Sequence, residues 1–211
     1  MVQHYIKRTL EKYIKRAIGQ FPAVVLSGPR QSGKTTILKH LFTKTHRYIS
    51  LEPPDIRAAA AADPRGFLGM YPPPVIFDEV QYAPDLLFFI KERIDAQRSI
   101  RGQYVLTGSQ NLLLMERVSE SLAGRVAILK LLPLSRHEIL DSPHAALPWE
   151  APSKRLNSQG FSHAELWKNF LRRGYPEIVS EPDRDIALWH ASYIQTYLER
   201  DVRSLRQIGD L

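Results

Sequence analysis

Eight consecutive residues, Gly28-Pro29-Arg30-Gln31-Ser32-Gly33-Lys34-Thr35, match the phosphate-loop spacing G-x-x-x-x-G-K-S/T at every required position. Such a loop wraps a polyphosphate with backbone N–H groups. That close approach needs little bulk and unusual dihedrals, which Gly28 and Gly33 supply. Lys34 then sets a point charge against the β- and γ-phosphates, and the Thr35 hydroxyl completes the shell of a Mg2+ ion. Thr36 follows in the helix whose N-terminal partial charge adds to the site. A second centre is Val75-Ile76-Phe77-Asp78-Glu79, an apolar run that ends in adjacent carboxylates. Phosphoryl transfer needs one carboxylate near Mg2+ and a group that activates water; Asp78 suits the first role and Glu79 the second. Ser109, Gln110 and Asn111 follow a further apolar run and are candidate sensors of the γ-phosphate, although Ser109 or Asn111 as a helix N-cap accounts for them equally well. Arg125 is either a guanidinium that stabilises transition-state charge, in its own subunit or a neighbour, or half of a surface salt bridge.

These groups must be carried by elements that bring them to one place. Ala23 to Ser27 reads as a buried strand, and Thr35 to Phe42 has helical spacing, so the loop lies between strand and helix. Arg47 to Leu51 is a second strand, and Glu52-Pro53-Pro54-Asp55 starts an alanine-rich helix that runs through Ile56 to Ala62 and that Asp63-Pro64 stops. Gly66 to Tyr71 with Pro72-Pro73-Pro74 reads as a stiff connection into the Asp78 strand. A helix over Asp85–Arg98, a strand over Gln103–Thr107, a helix over Leu112–Leu122 and a strand over Val126–Leu132 complete an α/β pattern in which ligands sit beyond the strand ends. Ser135 and Glu138 form a capping box. Tyr5, Ile6, Leu10, Tyr13, Ile14, Ala17 and Ile18 predict an amphipathic helix over residues 4 to 18 that docks on the sheet. The organisation expected is a core over 1–141, a proline- and serine-rich linker or mobile loop over 142–160, and a helical segment over 161–211.

Composition narrows the setting. No apolar stretch nears the ~20 residues of a membrane span, the N-terminus opens no signal peptide, and cysteine is absent. The expected location is the cytoplasm, with no membrane partner. A net charge of +7 permits attraction to polyanions, and ATP is itself one. The basic cluster Lys7, Arg8, Lys12, Lys15 and Arg16 reads as a solvated helix face or as a DNA contact.

Several stretches in order resemble a known group. They are Gly28 to Thr36, Phe77-Asp78-Glu79-Val80-Gln81, Leu106-Thr107-Gly108-Ser109 and Leu122-Ala123-Gly124-Arg125, then Leu132-Pro133-Leu134-Ser135, Gly174-Tyr175-Pro176-Glu177 and Tyr197 to Val202. The chain resembles prokaryotic AAA-superfamily P-loop ATPases that carry a C-terminal domain of unknown function related to restriction-type nucleases. The resemblance implies helices on both faces of a parallel sheet with strand order 5-1-4-3-2, and a helical segment that begins a second domain. It also implies ATP as the nucleotide, which the absence of an Asn-Lys-x-Asp guanine signature supports. Proteins of this group continue past the segment matching Tyr197 to Val202, so the resemblance implies a truncated chain whose Trp189, Tyr193 and Tyr197 expose aromatic surface. The reading is a Mg2+-dependent ATPase that cycles between ATP and ADP to drive or gate contact with DNA or a protein, as a monomer or homo-oligomer. A phosphotransferase and a nucleotide-gated binding module without turnover are the rivals.

Overall fold

A computed structural model of the chain describes residues 5–109, 117–118, 120–145, 162–172 and 174–206. They fall into two compact units, one spanning Tyr5–Ala145 and the other holding the described residues from 162 onward.

The first unit is built on a parallel sheet of β1 (Ala23–Gly28), β2 (Arg47–Ser50), β3 (Val75–Asp78), β4 (Tyr104–Ser109) and β5 (Val126–Lys130). Its order is β2-β3-β4-β1-β5, the order that the resemblance implies. Every residue of β1 and β3 is buried, which is why both read as unbroken apolar runs. Side chains alternate across the sheet. Val25, Val75, Phe77, Tyr104 and Leu106 pack on one face with Phe67, Leu87 and Ile90. Leu26, Ile76 and Val105 pack on the other with Ile14, Ile37 and Leu38. These clusters belong to α3 (Pro54–Ala62), α4 (Pro64–Met70) and α5 (Leu86–Ala96) on the first face, and to α1 (Glu11–Gln20) and α2 (Lys34–Phe42) on the second. Beyond β5 a short α6 (Arg136–Ile139) carries the capping box: Ser135 accepts from the Glu138 N–H and Glu138 from the Ser135 N–H.

Two elements differ from the sequence reading. The helix expected over 4 to 18 begins only at Glu11, because tertiary partners hold the preceding segment. Glu11 accepts from the Arg8 N–H at 2.8 Å and from the Tyr5 hydroxyl at 2.9 Å, the Tyr5 ring stacks on His40 at 3.7 Å, and Arg8 is buried. The stretch after Asp63-Pro64 is α4 rather than a connection. Asp63 caps it by accepting from the Gly66 N–H at 2.9 Å, and Pro64 occupies the first turn, so the residues that stop α3 also start α4.

The second unit holds α7 (His163–Arg172), α8 (Pro176–Ser180) and α9 (Ile186–Arg206). The aromatic surface expected on the last helix is in part internal. Trp189 is only 8% exposed and packs on Tyr175 and Tyr193, with ring centroids 4.9 and 5.0 Å away, while its indole N–H donates to Glu177 at 3.3 Å. The side chain of Tyr197 and most of the expected linker lie outside the described residues.

Candidate nucleotide site

The loop between β1 and α2 takes its shape from the two glycines. Gly33 has φ 92° at the α2 N-cap, and at Gly28 a Cβ would stand 2.2 Å from the Leu131 carbonyl oxygen. Substitution is blocked at Gly33 by conformation and at Gly28 by a neighbouring backbone. Within the loop Lys34 is 6% exposed and donates to the Gly28 and Pro29 carbonyls at 3.0 and 3.1 Å. Burial lowers its pKa from the ordinary 10.5; Glu79 and then Asp78 oppose this, and Arg30 adds to it. An ammonium so desolvated is poised to gain from an arriving phosphate.

Asp78 reaches the loop because of strand parity. Two residues beyond Ile76, it emerges on the same face as α2, beside Thr107 of β4, two residues beyond Val105. Its carboxylate accepts from Thr35 at 2.8 Å and from the hydroxyls of Thr107 and Tyr48. Alternation alone would send Glu79 to the opposite face. Instead Glu79 leaves the strand in the left-handed region, with φ 60°, and opens a turn of 3-10 helix at Val80–Tyr82. Its charge, with that of Asp78, opposes the lowering of the Lys34 pKa by burial. The Gln81 amide donates to the Glu79 carboxylate, and the Glu79 N–H reaches Thr107 Oγ1 at 3.4 Å. Thr107 thus holds both acidic residues.

The structure brings Gly28 to Thr35, Asp78 and Glu79 together at the C-terminal ends of the strands. Ser109 lies beside Gly28 through β1–β4 pairing; Gln110 and Asn111 lie outside the described residues. Arg125 is elsewhere. It precedes β5, whose length of about 17 Å, at about 3.3 Å per residue, separates it from the loop. Its guanidinium grips Asp95 with two bonds of 2.6 and 2.9 Å, and a role at the nucleotide of a neighbouring subunit stays a proposal. Tyr48, Thr107 and Gln81 were not singled out by sequence reasoning. Thr107 and Gln81 lie within stretches that carry the resemblance, which was their available signal; Tyr48 had none.

Thr35, Asp78 and the adjacent Thr107 offer only oxygen, as Mg2+ requires. Among the described residues no group of three or more His, Cys, Asp and Glu could hold a metal alone. This donor set fits an ion that enters with a polyphosphate and keeps several waters.

Residues 20–140 match the family of AAA domains. The chain belongs to this family. Two curated relatives are uncharacterized proteins of Mycobacterium tuberculosis (Rv2008c) and Mycobacterium bovis (Mb2031c), each 31% identical over 202 residues that cover 94% of this chain and 40% of the relative. The AAA-domain chain therefore spans about two fifths of the length of the curated relatives it matches. Among solved structures, the Walker-type ATPase PABY2304 of Pyrococcus abyssi aligns with a TM-score of 0.55 at 15% identity, over 97% of this chain and 76% of that one. That likeness is one of fold. Family and fold together are those of P-loop ATPases.

The wall behind the AAA domain's phosphate loop is a buried ion pair. Arg8 Nε lies 3.3 Å from Glu138 Oε1, with the two side chains 5% and 6% exposed. Burial alone would raise the Glu138 pKa, but the Ser135 and Thr9 N–H groups, both at 2.7 Å, and the Arg8 charge hold it below its ordinary 4.5. A depressed carboxyl stabilises the fold fully above the unfolded value and loses that contribution as pH falls through the folded one. Thermal melts of the chain are therefore expected to drop steeply below about pH 4.5. Glu138→Gln, less stable at pH 7, is expected to show a shallower fall; parallel curves would contradict the assignment.

Proposed function

We propose that the chain binds ATP with Mg2+ and hydrolyses it to ADP. The observation that carries this reading is the 2.8 Å bond from Thr35 of the phosphate loop to Asp78 at the end of β3, with Glu79 next in the chain and held by the Gln81 amide. In this reading Gly28 to Gly33 cradle the phosphates with backbone N–H groups and Lys34 neutralises charge on the β- and γ-phosphates. Mg2+, held through Thr35 and Asp78, supplies charge neutralisation at the transferred phosphoryl group when bound. Glu79 accepts a proton from the attacking water, and the Gln81 amide fixes its carboxylate. Ser109, paired with Gly28 in the β1–β4 register, and Gln110 are proposed as the residues that respond to the γ-phosphate. The Pyrococcus abyssi neighbour is a Walker-type ATPase, which supports ATP as the nucleotide.

The cycle is proposed to drive or gate contact with DNA or a protein. Lys12, Lys15 and Arg16 are exposed on α1 and supply a basic surface for such a client. Phosphate release from ATP by the full chain, with Mg2+ and with excess EDTA, tests the reading. Release that needs Mg2+ is expected. No release in either case, with ATP bound, would sink hydrolysis. A duplex-DNA arm at low salt would show stimulation if DNA is the client and none if it is not.

A further inference from the structure

We infer that Arg8 is a positioning residue for the phosphate loop: its guanidinium, bonded to the Ser32 carbonyl, sets the Ser32–Gly33 peptide in the orientation that phosphate binding requires. The inference rests on the nucleotide reading above and adds a residue that lies outside the motif by 20 positions, from Arg8 to Gly28.

Arg8 is 4% exposed although it belongs to the most basic stretch of the chain, and it sits in the segment before α1. Its guanidinium faces three places at once. One Nη donates to the Ser32 carbonyl at 2.9 Å, the other to the Leu132 carbonyl just past β5, and Nε faces Glu138. Glu138 is itself anchored by the Thr9 and Ser135 N–H groups. Ser32 immediately precedes Gly33 and Lys34, and its peptide with Gly33 is trans, since the cis bond found among the described residues is Pro73-Pro74. In a planar trans peptide the C=O and N–H point in opposite directions. An arginine that pulls the Ser32 oxygen outward therefore turns the Gly33 N–H inward, and the backbone N–H groups are what such a loop offers to phosphate. The planar fork of Arg reaches two carbonyls and a carboxylate together, which the single ammonium of Lys does not.

The test is titration of ATP, ADP and AMP into the full chain, with thermal melts run alongside. Arg8→Lys keeps the charge beside Glu138 and loses the fork. It is expected to melt cooperatively and to bind ATP and ADP about tenfold more weakly, the worth of one hydrogen bond to a charged group, while AMP binding changes less than twofold. A second variant, Arg8→Met with Glu138→Gln, leaves no buried charge unpaired and is expected to show the same phosphate-selective loss even if Arg8→Lys does not fold. Equal weakening of all three nucleotides, or no weakening, in a folded variant overturns the positioning role. Failure of the unmodified chain to bind any nucleotide would instead overturn the nucleotide reading itself.

Discussion

Glu79→Gln is expected to hold ATP within about threefold of the parental affinity while turnover falls by about 10²–10⁴-fold, the range for loss of a general base. The substitution preserves size and leaves an amide oxygen to accept from Gln81, so the left-handed turn at φ 60° and its anchoring persist. What disappears is the carboxylate's capacity to take a proton from water. Because Glu79 also supports the charge of Lys34, a small change in nucleotide affinity accompanies the kinetic defect. Single-turnover phosphate release, compared with equilibrium titration of ATP, separates the two effects. A variant that turns ATP over at the parental rate would remove Glu79 from the chemistry.

Lys34→Ala is expected to weaken ATP binding by about 10²-fold or more, since two or more hydrogen bonds to charged phosphate oxygens are lost at about 1.5–3 kcal/mol each. Stability without nucleotide should change little. The variant forfeits bonds to the Gly28 and Pro29 carbonyls, but it also removes an ammonium that burial disfavours. Ligand-dependent melting distinguishes this from a folding defect. At a hundredfold excess of MgATP over Kd, binding adds about 2.7 kcal/mol to the parent, a rise of roughly 5–10 °C for a chain of this size. Lys34→Ala at the same concentration should show almost none of that rise. A full shift would mean that phosphate is held elsewhere.

The candidate site divides by the range of the interactions that build it. Gly28 to Thr35 was legible because a phosphate loop is local: its dihedrals, its lysine and its hydroxyl are all encoded within eight residues. The run into Asp78 was legible as a buried strand ending in carboxylates, and strand polarity puts such an end where ligands bind. The same polarity was available for Arg125, since a residue just before a parallel strand lies at the opposite edge. Arg8 was hidden by its neighbours. Lysines and arginines at helical spacing look like one solvated face, and only the packing of the segment against Ser32, Leu132 and Glu138 removes Arg8 from it.

What the sequence determined by itself is the set of chemical groups, the α/β class and, through the family motifs, the strand order. Local propensity and periodicity carry the groups and the class within a few residues of each position, and the resemblance alone implies the strand order. Tertiary structure alone decided which side chains meet. Tyr48, Asp78 and Thr107 converge because the register of β2, β3 and β4 places them on one face, and register is a relation between strands far apart in the chain. Glu79 leaves the strand in the left-handed region with its N–H on Thr107 Oγ1, and Trp189 is buried where Tyr175, from outside its helix, packs on its ring. In each case the deciding contact is long-range or conformational, and residue types do not record it.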